Sequence, residues 1–221
     1  RDYKFVDDGE GGSLERVDVP GLGLLSDPDL MVLRKGATFV THTPELLDCM
    51  RRPEPLLVTK ANIRSRVHRR TYMDYIGLKT YAEDGTLFGE LRIVGLFSAT
   101  AYTRSTRNIP YLRRKTDQVM ERAGYDPDSH SGRALANVLE SYPRDELFQL
   151  DLETLHRFST AILQLGERPR VRVLSRIDKF DRFVSSLVYV PRERYSTSVR
   201  MKIGEWLAKQ YQGRVSAWDV A

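Results

Sequence analysis

A chain of 221 residues with 41% hydrophobic and 29% charged side chains can bury a real core, with room for two small domains. Its single cysteine, Cys49, excludes an internal disulfide and any multi-cysteine zinc site, and favours a cytoplasmic setting. The net charge of +5 sets 35 basic against 30 acidic side chains, mostly interleaved, which argues against a nucleic-acid partner, while apolar runs too short for a signal peptide or a span argue against a membrane.

The first part, about residues 1–105, predicts a curved antiparallel sheet with a small helical insert. Strand character begins at Tyr3-Lys4-Phe5-Val6 and returns over Leu14–Val19. Thr43 as N-cap, Pro44 at the first helical position and Glu45 in the first turn predict a short helix with Leu46, Leu47 and Met50 on one face. Pro53 and Pro55 stop it. Three strands follow: from Leu56 through Ile63 to Val67, from Tyr72 to Tyr81, and from Leu87 to Phe97. Asp84-Gly85 marks the last hairpin, with positive φ expected at both turn residues. Gly77, Gly89 and Gly95 predict bulges or the close approach of another backbone.

Residues 106–144 predict a helical hairpin linker. Asn108 and Pro110 open the first helix and Gly124 caps it; Asp128 opens the second and Pro143 ends it. From 145 to 221 the pattern reads β-α-β-β-α-β. Leu147-Phe148 would be the first strand, and Asp151 caps a helix with Leu152, Leu155, Phe158, Ile162 and Leu163 on one stripe. Val171–Leu174 and Phe183–Val190 form a hairpin across a turn at Ile177–Arg182. Ser196 or Thr197 caps a last helix with Val199, Ile203, Trp206 and Leu207 inward, and Arg214–Val220 resumes strand character. This is the ferredoxin-like topology, shared by small-molecule regulatory domains of the ACT type. On it, truncating Trp206 to alanine should cost about 3–5 kcal/mol. Arg1 stands where an initiator Met is absent, and Val220-Ala221 falls within a strand pattern. The chain therefore reads as a piece of a longer protein, its last domain cut short.

A search for chemistry finds little. The glycines near Gly9 and Gly21 lack the strand–turn–helix setting of a nucleotide cradle. His42, His68, His130 and His156 lie far apart, without His or Cys partners at ligand spacing. Cys49 reads as a buried structural thiol, and hydrolase signatures are absent. No catalytic, cofactor-binding or metal-binding residue is assigned, and the segment alone is expected not to be an enzyme. One cluster stands out. Strand alternation would place Arg64, Arg66, His68 and Arg70 on one face, opposite Ile63 and Val67. That face is a candidate anion or partner surface, against the plainer reading of a solvated sheet face.

Several stretches resemble the large bacterial NAD-dependent glutamate dehydrogenases. They include His68-Arg69-Arg70-Thr71-Tyr72-Met73-Asp74-Tyr75-Ile76-Gly77, Val94-Gly95-Leu96-Phe97-Ser98 and Ala101-Tyr102-Thr103-Arg104-Ser105. Ile109-Pro110-Tyr111-Leu112-Arg113-Arg114-Lys115, Tyr142-Pro143-Arg144-Asp145-Glu146-Leu147-Phe148-Gln149 and Arg182-Phe183-Val184-Ser185-Ser186-Leu187-Val188-Tyr189-Val190-Pro191-Arg192 continue in the same order. The resemblance implies the N-terminal, non-catalytic half of such an enzyme, built from PAS-like and ACT-like domains. It implies an α+β fold with a PAS-like domain over 1–105, the helical linker over 106–144 and an ACT-like domain over 145–221. It implies a regulatory or assembly role, NAD bound elsewhere in the parent, and contacts with the parent's other domains and its homo-oligomer. An amino-acid effector is a candidate ligand. A stand-alone metabolite sensor or adaptor of PAS-plus-ACT-like architecture is the alternative.

Overall fold

The structure, a computed structural model, describes residues 1–6, 12–35, 38–39 and 44–219. Strands β1 (Asp2–Val6) and β2 (Ser13–Arg16) are followed by a 3-10 turn at Gly23–Ser26, the two-residue strands β3 (Arg34–Lys35) and β4 (Thr38–Phe39), and helix α1 (Pro44–Arg51). Then come β5 (Leu56–Arg64), β6 (Tyr72–Tyr81) and β7 (Leu87–Gly95). The five long strands form one antiparallel sheet in the order β2-β1-β7-β6-β5, and β3 pairs with β4 separately. The N-terminal strand therefore lies between β2 and β7, stitching the start of the chain to the β6–β7 hairpin.

Period-2 alternation decides what each sheet face meets. Tyr3, Leu57, Ala61 and Tyr75 pack in one core with Leu25, Val32, Leu33 and the inner face of α1, which supplies Leu46, Cys49 and Met50. Helix α1 opens at Pro44 as expected; the Thr43 cap lies outside the described residues. Lys79 of β6 donates to the carbonyl of Arg52, just past the C-terminal end of α1, where unpaired carbonyls favour a cation. Within this core Glu90 accepts from Tyr75 Oη at 2.6 Å and from Arg92 Nε at 2.8 Å, and the Arg92 guanidinium lies 3.7 Å from the Tyr3 ring centroid. Gly89 answers the expectation of close backbone approach: a Cβ there would stand 1.9 Å from the carbonyl oxygen of Tyr3.

The β6–β7 connection differs from the expected two-residue turn. It is a loop closed by Ala82 N to Thr86 O at 2.9 Å, and of its two residues only Gly85 takes positive φ, 82°. The Asp84 carboxylate instead accepts from Thr86 N and Oγ1, which stabilises the turn through its side chain.

Helices α2 (Ala99–Thr103), α3 (Pro110–Ala123), α4 (His130–Ser141), α5 (Arg144–Gln149) and α6 (Leu152–Glu167) follow. Gly124 closes α3 in the left-handed region, φ 67°. Ser129, one residue beyond the expected Asp128, caps α4 by accepting from Gly132 N. Leu147 and Phe148 are helical rather than a strand: Pro143, followed by Asp145 and Glu146 in the first turn, opens α5, and both residues are buried in it. A second core gathers Leu112, Val119, Leu135, Leu139, Leu147, Leu155 and Phe158 with Val58 from the opposite face of β5. The helices thus cover the β5 side of the face that α1 leaves open, while Leu78 of β6 and Ile93 of β7 on that face stay exposed.

Strands β8 (Arg172–Ile177) and β9 (Val184–Tyr189) form an antiparallel hairpin, and helix α7 (Thr197–Gln210), capped by Ser196, ends the regular structure. Leu174 joins the second core. Two further expectations fail here. Residues 214–219 form no strand, and Val220 lies outside the described residues. Helix α7 buries none of its residues, and Trp206 is 58% exposed. The observed order from 145 onward is therefore α-α-β-β-α, within a mixed α+β fold.

Candidate functional site

The basic cluster is not a strand face. β5 ends at Arg64, with a register shift between Lys60 and Arg64, and residues 65–71 form the loop to β6. Alternation stops with the ladder, so Val67 is exposed rather than inward, and His68 sits in the left-handed region with φ 60°. Arg64, Arg66 and Arg70 nonetheless line one open groove of about 410 Å³ with Ser65; His68 does not. The Arg64 guanidinium also lies 4.6 Å from the Tyr72 ring centroid.

A second constellation was not anticipated, and it joins the three parts of the chain. The turn between β8 and β9 inserts Phe180, 1% exposed, into the core beneath the five-stranded sheet. Around it, the buried Asp178 carboxylate accepts from Thr59 Oγ1 of β5 at 2.7 Å and from Arg182 Nε at 2.7 Å. Arg182 in turn donates through Nη1 to Asn62 Oδ1 at 3.1 Å and through Nη2 to Thr59 Oγ1 at 2.9 Å. The backbone N–H of Phe180 donates to the second Asp178 oxygen at 3.1 Å and so fixes the turn.

The same hairpin is tied to the helices. Arg176 of β8 reaches Glu146 of α5 through Nε at 2.6 Å and Nη2 at 2.8 Å, a two-pronged pair that also takes in Gln149 and the Ser185 hydroxyl. A third tie closes the triangle. Lys60 of β5 bridges Asp74 at 2.6 Å and Asp145 of α5 at 3.0 Å, and Tyr102 donates to Asp145 at 2.9 Å. Burial and then the Asp145 charge push the Tyr102 phenol well above its ordinary value, so it remains a donor. Lys115 of α3 stitches the end of α5, donating to the carbonyls of Leu147, Phe148 and Leu150.

Each charged group in these ties meets an oppositely charged or hydrogen-bonding partner, so the arrangement fixes positions. Burial pushes the Cys49 thiol up, against the pull of Lys179, Arg52 and Lys79, and leaves it a poor nucleophile. Among the described residues, no group of three or more His, Cys, Asp and Glu side chains is placed to hold a metal ion, and no helix is long and apolar enough to cross a membrane.

Comparison with known proteins places this geometry. Residues 109–168 match the family model described as glutamate dehydrogenase, helical motif 1, and residues 172–221 match glutamate dehydrogenase, ACT2 domain. The first match covers α3 to α6; the second begins at β8. An NAD-specific glutamate dehydrogenase of Halomonas elongata is 44% identical over 158 residues, 72% of this chain and 10% of that protein. The Pseudomonas aeruginosa counterpart is 35% identical over 218 residues, 96% of this chain and 13% of that protein. The chain belongs to the NAD-specific glutamate dehydrogenase family. A Mycobacterium tuberculosis member is 35% identical over 158 residues, again 10% of its length. This chain therefore spans about a tenth of the dehydrogenases it matches. Its hairpin anchors, Asp178, Arg182, Arg176 and Ser185, all lie inside the ACT2 match, whereas Glu146 lies in the helical match and Thr59 before both.

Proposed function

We propose that this chain is a non-catalytic regulatory and assembly segment of a large NAD-dependent glutamate dehydrogenase. In that parent, L-glutamate, NAD and water would give 2-oxoglutarate, ammonium and NADH, with NAD and the reacting groups held by other domains. Residues 1–105 would serve as a PAS-like unit, 106–144 as a helical linker and 145–221 as an ACT-like unit, in a cytoplasmic homo-oligomer. An amino-acid effector is the candidate ligand of the last unit. The observation that carries this reading is the buried junction of Thr59, Asp178 and Arg182, with Phe180 inserted beneath the sheet. It locks an ACT2 hairpin to the first sheet through fully partnered side chains, so a displacement of one moves the other.

The test is steady-state NADH formation by the full-length protein and by this chain alone. The full-length protein should oxidise glutamate with NAD, and the chain alone should form no NADH. Arg182→Met in the full-length protein should shift kcat, KM or oligomer mass without touching a reacting group. Catalysis by the chain alone would overturn the non-catalytic reading; unchanged kinetics and mass in the variant would overturn the regulatory one.

A further inference from the structure

We propose that the tip of the β5–β6 hairpin is an oxyanion-binding site, in which Arg64, Arg66 and Arg70 gather a small ligand carrying two or more negative charges. The first support is the groove: the three arginines and Ser65 line about 410 Å³ of open space. The second is electrostatic. Among the described residues none of the three arginines forms an ion pair, although Lys60, Arg92, Arg144, Arg176 and Arg182 all do. Three like charges around one groove raise its potential, and a dianion relieves their repulsion.

The third support is that the loop is held in shape by groups other than these arginines. Ser65 N donates to Thr71 O at 2.9 Å, and Thr71 N to Arg69 O at 2.9 Å. The Ser65 hydroxyl donates to Val67 O at 2.8 Å. Arg69, the fourth arginine of the loop, is committed elsewhere: it donates to Phe97 O at 2.8 Å and lies 4.8 Å from the Tyr102 ring centroid. Arg64 is steadied on Tyr72, and among the described residues its guanidinium makes one hydrogen bond, a long 3.4 Å contact to Ser216 O. A frame fixed before the ligand arrives leaves little loop entropy to lose on binding. Guanidinium forks suit flat or tetrahedral oxyanions through paired hydrogen bonds. The ligand class is thus a phosphate-type ion or a small dicarboxylate, which share this chemistry.

The experiment is calorimetric titration of the full-length protein with inorganic phosphate and, separately, with succinate, beside its R66Q/R70Q variant. The substituted side chains are solvent-exposed, so the variant should keep the parent's thermal midpoint. At least one probe should bind, at least about tenfold more weakly in the variant, since each lost charge-assisted bond is worth about a factor of ten. Weakening confined to phosphate assigns a phosphate-type ligand; weakening confined to succinate assigns a dicarboxylate. Binding of neither probe, or equal binding by variant and parent, overturns the proposal. None of these outcomes depends on the reaction proposed for the whole protein.

Discussion

Replacing Arg182 by methionine is the sharpest test of the junction. The substitution keeps the aliphatic stem but removes four hydrogen bonds, two to Asp178 and one each to Asn62 and Thr59. Asp178, 4% exposed, would then be a buried carboxylate without its counter-charge. Stranding a buried charge in this way costs about 3–5 kcal/mol. The partner bonds from Thr59 Oγ1 and Phe180 N remain, which places the expected loss near the lower end, about 3 kcal/mol. Urea unfolding of the chain at neutral pH is the assay, followed by far-ultraviolet circular dichroism and by tryptophan fluorescence. Both tryptophans, Trp206 and Trp218, lie in the C-terminal part, so fluorescence reports that part while dichroism reports the whole. In the parent chain the two signals should change together; in the variant the fluorescence transition should come first. A loss below about 1 kcal/mol, with coincident transitions, would refute the claim that this contact joins hairpin to sheet.

Burial and the nearby Lys179 lower the Lys115 ammonium to about 7 from 10.5. Because the unfolded chain binds this proton more readily, the cost of charging it is full below about pH 7 and is relieved as pH rises towards 10.5. Lys115→Met should therefore cost about 2 kcal/mol at neutral pH through three unpaired carbonyls, with the gap in urea midpoint widening at pH 9; equal gaps would sink the assignment. For Asp151 burial alone would raise the carboxyl, but the Thr154 N–H and hydroxyl outweigh it and hold the group below its usual range. Its capping contribution, about 1 kcal/mol, is thus present at neutral pH and fades as pH falls through its folded value, so Asp151→Ala and parent should converge in acid. Trp206→Ala, with 58% of the residue exposed, should change stability by no more than about 0.5 kcal/mol, measured as a thermal midpoint.

Much of the fold was legible where punctuation is local. Pro44, Gly124 and Asp151 mark helix ends by backbone rules that act within four residues. The Asp84-Gly85 turn signal marked the hairpin of β6 and β7, although the turn itself is built differently. Local cues failed where a short apolar pair has no period: Leu147-Phe148 fits a strand or a helix, and the acids after Pro143 decide for the helix. The basic stretch misled for a related reason, since alternating arginines look the same in a ladder and in the loop that follows it. The junction was out of reach of spacing altogether. Thr59 and Asp178 stand 119 residues apart, and no helical or strand period links them. One sign was present: an apolar residue, Phe180, inside an otherwise charged turn, Asp178-Lys179-Phe180-Asp181-Arg182, which a solvated turn does not need.

The stripe on α7 shows the other limit of a pattern. Val199, Ile203 and Leu207 recur at helical spacing, yet none is buried. Periodicity states that a helix has an apolar side; it does not state that the covering surface belongs to the same segment. The contrast with α6 makes the point, because α6 carries a similar stripe and buries Leu155 and Phe158 against α3 and α4. The difference lies in what surrounds each. Helix α6 sits among helices braced by Lys115 and by the Arg176–Glu146 pair, whereas α7 follows the hairpin beyond the last of those ties. The junction therefore braces the chain from the sheet through β9, whereas on α7 Val199, Ile203 and Leu207 are only half-buried and Met201 and Trp206 are exposed.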